Sequence, residues 1–512
     1  MAKDVIACGI IAFCVVYGKM QMLLLKNSST RLWEWPKGLL EAKEEKVCGL
    51  LQCAKRELLE EAGIDLDAIK HELHSPYSYE YLLSDGTKKI VYLFPAHLEN
   101  RPDTRLSSEH IDWCWLDPMT LQDVELHPDK QRVLDRFLGD YLNRQEVLSQ
   151  GRLKKAVLMT SIPKAVGDTE GDENSTWFWY GSWVASEQLM HPKALSDVDL
   201  VRFGTTHPSG AEVAAIHGNL TRRLNAQATL PLSVGIFYQS SQYPIFEKTP
   251  EWSYFLEANV CVSTSNSDVE SVLRNCRATI EPELANEMAR LVWHRLNVAE
   301  RCDSTETAYQ FLKGVIALNL LRHTRSSGYS FTGYTNYLRY LTSSSIADYE
   351  GTTNEYVQLL VAVDEKLGHR KLSQVTHWAD IFCDGASTAI SAAGQELDEM
   401  TVGYCRLCIQ LIRRDNESAF LACRLLTSGT PLDCLWREID TQCSLSPIEM
   451  RLTVLCFLAV FRVMLWPNHV AFARHKYITM LHEWCSRFQA LGCTAGVLVS
   501  QRCVAYVRDV PS

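Results

Sequence analysis

Apolar side chains run almost without a break from Val5 to Val16 and again from Met20 to Lys26, and Tyr17-Gly18-Lys19 between them is a turn signal. This predicts a β-hairpin. After Pro36 the period changes: Leu50, Leu51, Leu58 and Ala62 recur at helical spacing, and Gly63 stands where a helix cap belongs. Strand patterns return at Tyr77–Leu83 and Lys89–His97, turned by Ser84-Asp85-Gly86, and at Asp112–Leu116, while Pro118–Asp123 and Lys130–Leu142 read as helical. The first 145 residues therefore predict an α+β domain, a mixed sheet with helices on both faces. From Asn143 to Ser175 the periodicity loosens, and Gly167 to Asn174 is acidic and punctuated by glycine, which predicts a linker over 146–175.

A small α/β core is expected next, over 176–265, with strand runs that include Leu232–Tyr238 and Tyr254–Val262. Beyond Ser263 the pattern turns helical. Asp268–Ile280, Pro282–Ala299, Thr305–Thr324, Thr353–Leu367, Thr376–Ala393, Met400–Arg414 and a helix opened by the capping box Ser446-Pro447-Ile448-Glu449 predict an all-α domain over 266–512. The chain is thus expected to be multidomain, as its 512 residues also require.

Composition is that of an ordinary globular protein, with a formal charge of −10 that disfavours a nucleic-acid-binding protein without excluding a local basic groove. Small anionic substrates carried on metal ions remain compatible. The 18 cysteines are scattered through apolar patterns, and no cleavable export signal opens the chain, so reduced thiols and a cytoplasmic location are expected. Leu452–Trp466 is too short to span a bilayer and contains Arg462, so it reads as a buried helix and no membrane partner is expected. Cys405 and Cys408 lack a second pair at zinc-site spacing.

The densest chemistry lies in Arg56-Glu57-Leu58-Leu59-Glu60-Glu61-Ala62-Gly63-Ile64. Glu57, Glu60 and Glu61, at i, i+3 and i+4, put three carboxylates on one helix face with only Lys55 and Arg56 beside them, the donor set of a hard cation such as Mg2+ or Mn2+. With Gly38 and Glu44 upstream, the segment resembles the Nudix hydrolase signature, except that eleven residues rather than seven separate Glu44 from Arg56. The flanks Trp33-Glu34-Trp35-Pro36-Lys37-Gly38 and Ser108-Glu109-His110, with Trp113 and Trp115, resemble the diadenosine tetraphosphate hydrolase branch. The resemblance implies metal ligands at Glu57, Glu60 and Glu61, Arg56 holding Glu57, Glu109 as a candidate outer base, and substrate contacts at Lys37 and Gly38. Trp33 and the tyrosines from Tyr77 to Tyr81 are open to a base-stacking role or to a role in the core.

A second motif follows. Trp177-Phe178-Trp179-Tyr180-Gly181-Ser182, then Leu195-Ser196-Asp197-Val198-Asp199-Leu200-Val201, resembles the polymerase-β-like nucleotidyltransferases. By resemblance Asp197 and Asp199 would hold metal, Gly181 and Ser182 would contact a phosphate, and Glu257 would be the third carboxylate, with Glu247 and Glu251 as alternatives. Together the two motifs suggest a bifunctional enzyme, a Mg2+-dependent pyrophosphohydrolase acting on a dinucleoside polyphosphate or other nucleoside-diphosphate-linked substrate, joined to a transferase that moves a nucleotidyl group from an NTP to an unspecified acceptor. A transferase regulated by a nucleotide-sensing first domain, and a nucleotide-binding scaffold without catalysis, stay open at this point.

Overall fold

The computed structural model describes residues 4–44, 49–118, 126–168, 175–181, 184, 198–204, 210–227, 234–240, 259–264, 304–327, 329, 331, 333–343 and 352–392, with 482, 485–486, 489–490 and 501. The chain divides into two compact units, the first made of Met1–Ser241, Tyr254–Val269 and Phe331–Lys371, the second of Gln242–Ser253, Glu270–Ser330 and Leu372–Ser512.

The first unit opens with the expected hairpin, β1 (Val5–Val16) and β2 (Lys19–Asn27), in register from Phe13↔Met22 to Val16↔Lys19. Tyr17 and Gly18 both have positive φ, 50° and 77°, the geometry that lets a two-residue turn follow the strand twist. β3 (Trp33–Glu34) and β4 (Lys37–Leu39) are short. α1 (Gly49–Ala62) is followed by β5 (His71–Leu73), β6 (Tyr77–Leu82), β7 (Lys88–Leu98) and β8 (His110–Leu116). The eight strands form one sheet along the path β3-β2-β1-β7-β5, with β4 on β1, β6 on β7 and β8 on β2. β1 and β7 run parallel, so their connection must cross over, and α1 lies within that crossover. Both faces of β1 are covered, which is why it reads as a continuous apolar run instead of alternating.

α2 corrects the linker expectation. It runs unbroken from Pro128 to Gly167, through most of the stretch assigned to 146–175. Its first part packs Val133, Leu134 and Phe137 against Phe13, Tyr77, Val91 and Leu93. Its last part places Leu158, Ile162, Ala165 and Val166 in a different core, with Trp177, Trp179, Val198 and Leu200. The helical stripe at 158, 162 and 165–166 is real and continues the face that carries Val133 and Phe137, but it serves a second sheet. Residues 169–174 lie outside the described residues.

That second sheet contains β9 (Thr176–Tyr180), β10 (Val198–Gly204), β11 (Val234–Ser240) and β12 (Asn259–Thr264) in the order β11-β10-β9-β12. α3 (Gly210–Gln227), which no sequence pattern flagged, crosses between the parallel strands β10 and β11.

The first unit also recruits residues 331–371, which the sequence placed in an all-α domain. α5 (Tyr334–Leu341) was not foreseen, and α6 (Thr353–Lys366) begins at a capping box formed by Thr352 and Glu355. The turn after α6 explains the assignment. Asp364, Glu365, Lys366, His369 and Arg370 are all buried, and Asp364 and Arg370 both reach Ser75, in the connection from β5 to β6. Asp364 Oδ2 accepts from Ser75 N at 2.6 Å and Ser75 Oγ at 2.7 Å, Arg370 Nη2 donates to Ser75 O at 2.7 Å, and Lys371 N donates to Asp140 Oδ1 at 3.1 Å.

In the second unit α4 (Ser304–Ser327) packs on α7 (Val375–Ala392), with Gly314 leaving room for the Phe382 ring. The other expected helices of 266–512, and Cys405 and Cys408, lie outside the described residues. The described cysteines Cys8, Cys14, Cys53, Cys114, Cys261 and Cys485 are free, and no helix among the described residues is long and apolar enough to cross a membrane.

Candidate active site

The acidic face of α1 is gathered by one guanidinium. Arg56 Nε and Nη2 donate to the two oxygens of Glu44 at 2.9 and 3.1 Å, and Nη1 reaches Glu57 Oε1 at 2.7 Å and Glu60 Oε2 at 3.0 Å. Nη2 also donates to Leu39 O at 2.9 Å. The eleven-residue spacing therefore does not displace Glu44: its carboxylate still meets Arg56, and its backbone closes on Gly49, where any Cβ would overlap it. The extra residues 45–48 lie outside the described residues.

Gly38 is fixed by the same cluster. A Cβ there would overlap the Glu57 carboxyl group, so the loop can approach the acids only as glycine. Next to it Lys37 N donates to Glu61 Oε2 at 3.0 Å. Glu57 and Glu61 are buried, Glu60 is open to solvent, and Glu109 sits exposed in the turn before β8, close enough for its charge to act on Glu57.

These acids are short of positive charge. Burial pushes Glu61 up to about 8; the Lys37 amide and ammonium oppose this, while Glu57 and Glu34 reinforce it. Burial also raises Glu57 in spite of Arg56, with Glu60 and Glu109 adding to the shift. Two buried carboxylates that resist ionisation beside a third exposed one make an oxygen donor set in need of a cation, and this fits a hard divalent ion.

Sequence reasoning assigned no role to three residues that border this cluster. Glu34, on β3, is buried yet held down to about 2: burial would raise it, but Lys37 and Lys130 prevail. Its Oε2 accepts from Lys37 Nζ at 2.7 Å and from Lys130 Nζ at 2.8 Å, and its Oε1 from Asn27 Nδ2 at 2.8 Å. His110, on β8, is buried with Nε2 lacking a hydrogen-bond partner, 3.9 Å from both Glu34 Oε1 and Glu61 Oε2. The Glu34/Lys37 spacing of i, i+3 was a legible signal. Lys130 carried none, because its approach depends on how α2 lies across the sheet.

The aromatic candidates divide. Tyr77 is core, its hydroxyl bonded to Asp140 Oδ2 at 2.8 Å, whereas Tyr79 and Tyr81 stack with centroids 6.2 Å apart and Tyr81 is exposed. Trp33 is half-buried with Lys26 Nζ 5.5 Å from its ring centre.

Of the second motif the structure describes Gly181 and Asp199; Ser182, Asp197 and Glu257 lie outside the described residues. β9 and β10 pair with Asp199 opposite Tyr180, and Gly181, at φ 84°, lies so close that a Cβ would come 2.7 Å from Asp199 Oδ2.

One further group has metal-like composition, Glu72, His74 and His369, whose ligand atoms lie within 4.8 Å of one another. Hydrogen bonding argues against a cation. Arg144 Nη1 is 2.8 Å from His74 Nε2 and Nη2 is 2.9 Å from Glu72 Oε2. A guanidinium can only donate, so His74 Nε2 accepts and its proton sits on Nδ1, the atom a metal would need. Asp364 takes His369 Nδ1 at 3.1 Å. Two carboxylates and two guanidiniums, those of Arg144 and Arg370, already balance.

Residues 9–137 match the NUDIX domain family profile. An asymmetrical bis(5'-nucleosyl)-tetraphosphatase of Caenorhabditis elegans is 34% identical over 112 residues, 21% of this chain and 76% of that protein. Among solved structures, a C. elegans Ap4A hydrolase binary complex is 28% identical, covering 26% of this chain and 96% of that one, with a TM-score of 0.24. The E. coli dihydroneopterin triphosphate pyrophosphohydrolase is 20% identical over 26% of this chain and 93% of that one, with a TM-score of 0.22. With a relative this similar covered over three quarters of its length, and with the signature's acids gathered around Arg56, the chain belongs, through its N-terminal domain, to the Nudix family.

Proposed function

We propose that the N-terminal domain is a Mg2+- or Mn2+-dependent hydrolase that cleaves a phosphoanhydride in a dinucleoside polyphosphate or other nucleoside-diphosphate-linked substrate. The observation that carries this reading is the Arg56-ordered cluster of Glu57, Glu60 and Glu61, with Glu61 raised to about 8 by burial, a site whose charge is completed by a bound cation. The activity named for the C. elegans relative supports the choice of substrate class.

Glu57, Glu60 and Glu61 would hold the ion, which supplies Lewis-acid stabilisation of charge on the phosphoryl oxygens. The chain's own groups do the rest. Arg56 fixes the carboxylates in place before substrate arrives, Lys37 lies next to them with its ammonium toward Glu34, and Glu109, exposed in its turn, is free to take a proton from attacking water. The test is turnover of dinucleoside tri-, tetra- and pentaphosphates and of NTPs by the full chain with Mg2+ or Mn2+. Hydrolysis that chelator abolishes is expected; no hydrolysis of any of them with either ion would overturn the assignment.

A second activity is favoured by one observation, the seating of Gly181 against Asp199 across paired strands, where a phosphate-binding turn would have to meet a metal-holding acid. On this reading Asp197 and Asp199 carry the ion of a nucleoside triphosphate, Gly181 and Ser182 contact its phosphates, and Glu257 activates an acceptor. Transfer of labelled nucleotide to any acceptor, lost in Asp199→Asn while hydrolysis by the first domain persists, is the expected result. Equal transfer by the variant would remove Asp199 from the site.

A further inference from the structure

We propose that Lys130 is a substrate-binding residue of the hydrolase site, which together with Lys37 holds a non-reacting phosphate of the polyphosphate chain. The inference deepens the hydrolase reading and rests on it. Lys130 belongs to α2, far along the chain from the signature, yet its ammonium shares a single oxygen, Glu34 Oε2, with the ammonium of Lys37, at 2.8 and 2.7 Å. One carboxylate for two ammoniums leaves a positive balance directly beside the acids of α1, to which Lys37 is tied through its amide on Glu61.

Donor counting points the same way. Each ammonium has three N–H groups, and among the described residues each of these two lysines spends one, on Glu34. Lys130 is only 9% exposed, so it is held within the cluster and is not a freely solvated surface lysine. Two ammoniums that converge on one oxygen fit an acceptor with several oxygens and more than one negative charge. A tri- or tetraphosphate bridge offers that, and Glu34 fills the position as a single-charge substitute until the bridge arrives. Their ammoniums bond Glu34 and only the Lys37 backbone amide bonds an acid of α1, so the phosphate assigned to them is a neighbour of the cleaved one.

The alternative is that Lys130 only pins α2 to β3 through an ion pair, and the two make opposite predictions for the two partners. If Glu34 competes with phosphate, Glu34→Gln lowers KM for a dinucleoside tetraphosphate while Lys130→Gln raises it, by roughly tenfold to a hundredfold, the worth of one charge-assisted hydrogen bond. The KM increase should exceed any change in kcat, grow with the number of bridging phosphates, and be largely reversed in Lys130→Arg. If the pair is only structural, both variants lose activity and thermal stability alike, independent of phosphate number, and the proposal falls. Calorimetry with inorganic tripolyphosphate separates this from the hydrolase reading itself. Weaker tripolyphosphate binding by Lys130→Gln supports the lysine's role even if no dinucleotide is turned over, and equal binding by wild type and variant overturns it. Should Lys130→Gln not fold, Glu34→Gln against wild type decides by sign alone, since tighter tripolyphosphate binding supports the proposal and unchanged or weaker binding ends it.

Discussion

The first unit contains two buried clusters of carboxylate, arginine, lysine and histidine, and they are balanced in opposite ways. Around Arg56 one guanidinium serves Glu44, Glu57 and Glu60 and leaves Glu61 to a single backbone amide, so burial wins and Glu61 rises to about 8. Around Asp364 the two acids Asp364 and Glu72 are matched without a ligand. Asp364 lies well below the usual carboxylate range: it is fully buried, which would raise it, but His369 and His74 and the two bonds from Ser75 outweigh burial. Glu72 behaves likewise, brought down to about 2 against its burial by His74, Arg144 and His369. The same residue types build a site in one place and a joint in the other. What separates them is whether the charges close without a ligand.

The sharpest break between the two is expected in Glu61→Gln. Removing this acid takes away preorganised charge where the ion would sit, so hydrolysis should fall by about a hundredfold or more. Thermal stability should hold or improve, because a carboxylate that resists ionisation is a cost to the fold. Activity near that of the wild type would show that the cluster is not the reaction centre.

Asp364→Asn should do the reverse. Breaking a buried charge network by neutralising one partner costs about 3 to 5 kcal/mol, and an amide in place of the carboxylate would turn a donor toward Ser75 or His369. The unfolding midpoint should drop several degrees, with kcat measured at low temperature little altered. A large loss of kcat in a well-folded Asp364→Asn protein would mean that the joint reaches the catalytic face.

Gly38→Ala is smaller in energy but touches the site directly. The new methyl must displace the Glu57 carboxyl, an overpacking cost of about 1 to 3 kcal/mol, and it should weaken Mg2+ binding more than it lowers the melting temperature. Unchanged metal affinity in calorimetry would show that the loop can shift aside.

How far each cluster was legible follows from where its partners sit in the chain. The Arg56 cluster is local: Glu57, Glu60 and Glu61 lie within one helical turn and a half, and even Glu44 and Gly38 are near, so spacing alone brought them to one face. The Asp364 joint closes between residues almost three hundred positions apart, Ser75 and Asp364, and a run such as Asp364-Glu365-Lys366 reads in isolation as a solvated helix end. Nothing short of the tertiary fold shows that it is buried. α2 was misjudged for a related reason. Between its two cores the helix passes through polar runs, Asn143-Arg144-Gln145-Glu146 and Ser149-Gln150-Gly151-Arg152, so the pattern after Asn143 looked like a linker although Leu158 and Ile162 continue a stripe.

Because the two clusters shift their acids in opposite directions, they should bend the stability profile on opposite sides. An unfolded glutamate titrates near 4.5, and folded Glu61 near 8, so between these values the native protein holds the extra proton and the metal-free fold loses stability as pH rises. Glu72 titrates near 2 when folded, so between about 2 and 4.5 the unfolded chain holds the extra proton and stability is lost as pH falls. Each limb is bounded at about 1.4 kcal/mol per pH unit for one group, and it is readable as a thermal midpoint followed from pH 3 to 9 in chelator. A saturating divalent cation should flatten the alkaline limb alone, since an ion on Glu61 favours the charged form, and Glu61→Gln should do so without the cation. Glu72→Gln should make the acid limb shallower, since Glu34 and Asp364 also contribute to it, and leave the alkaline one. An alkaline limb undiminished in Glu61→Gln would place the strained acid elsewhere, and an alkaline limb indifferent to Mg2+ and Mn2+ would mean that the ion does not bind at the buried carboxylate.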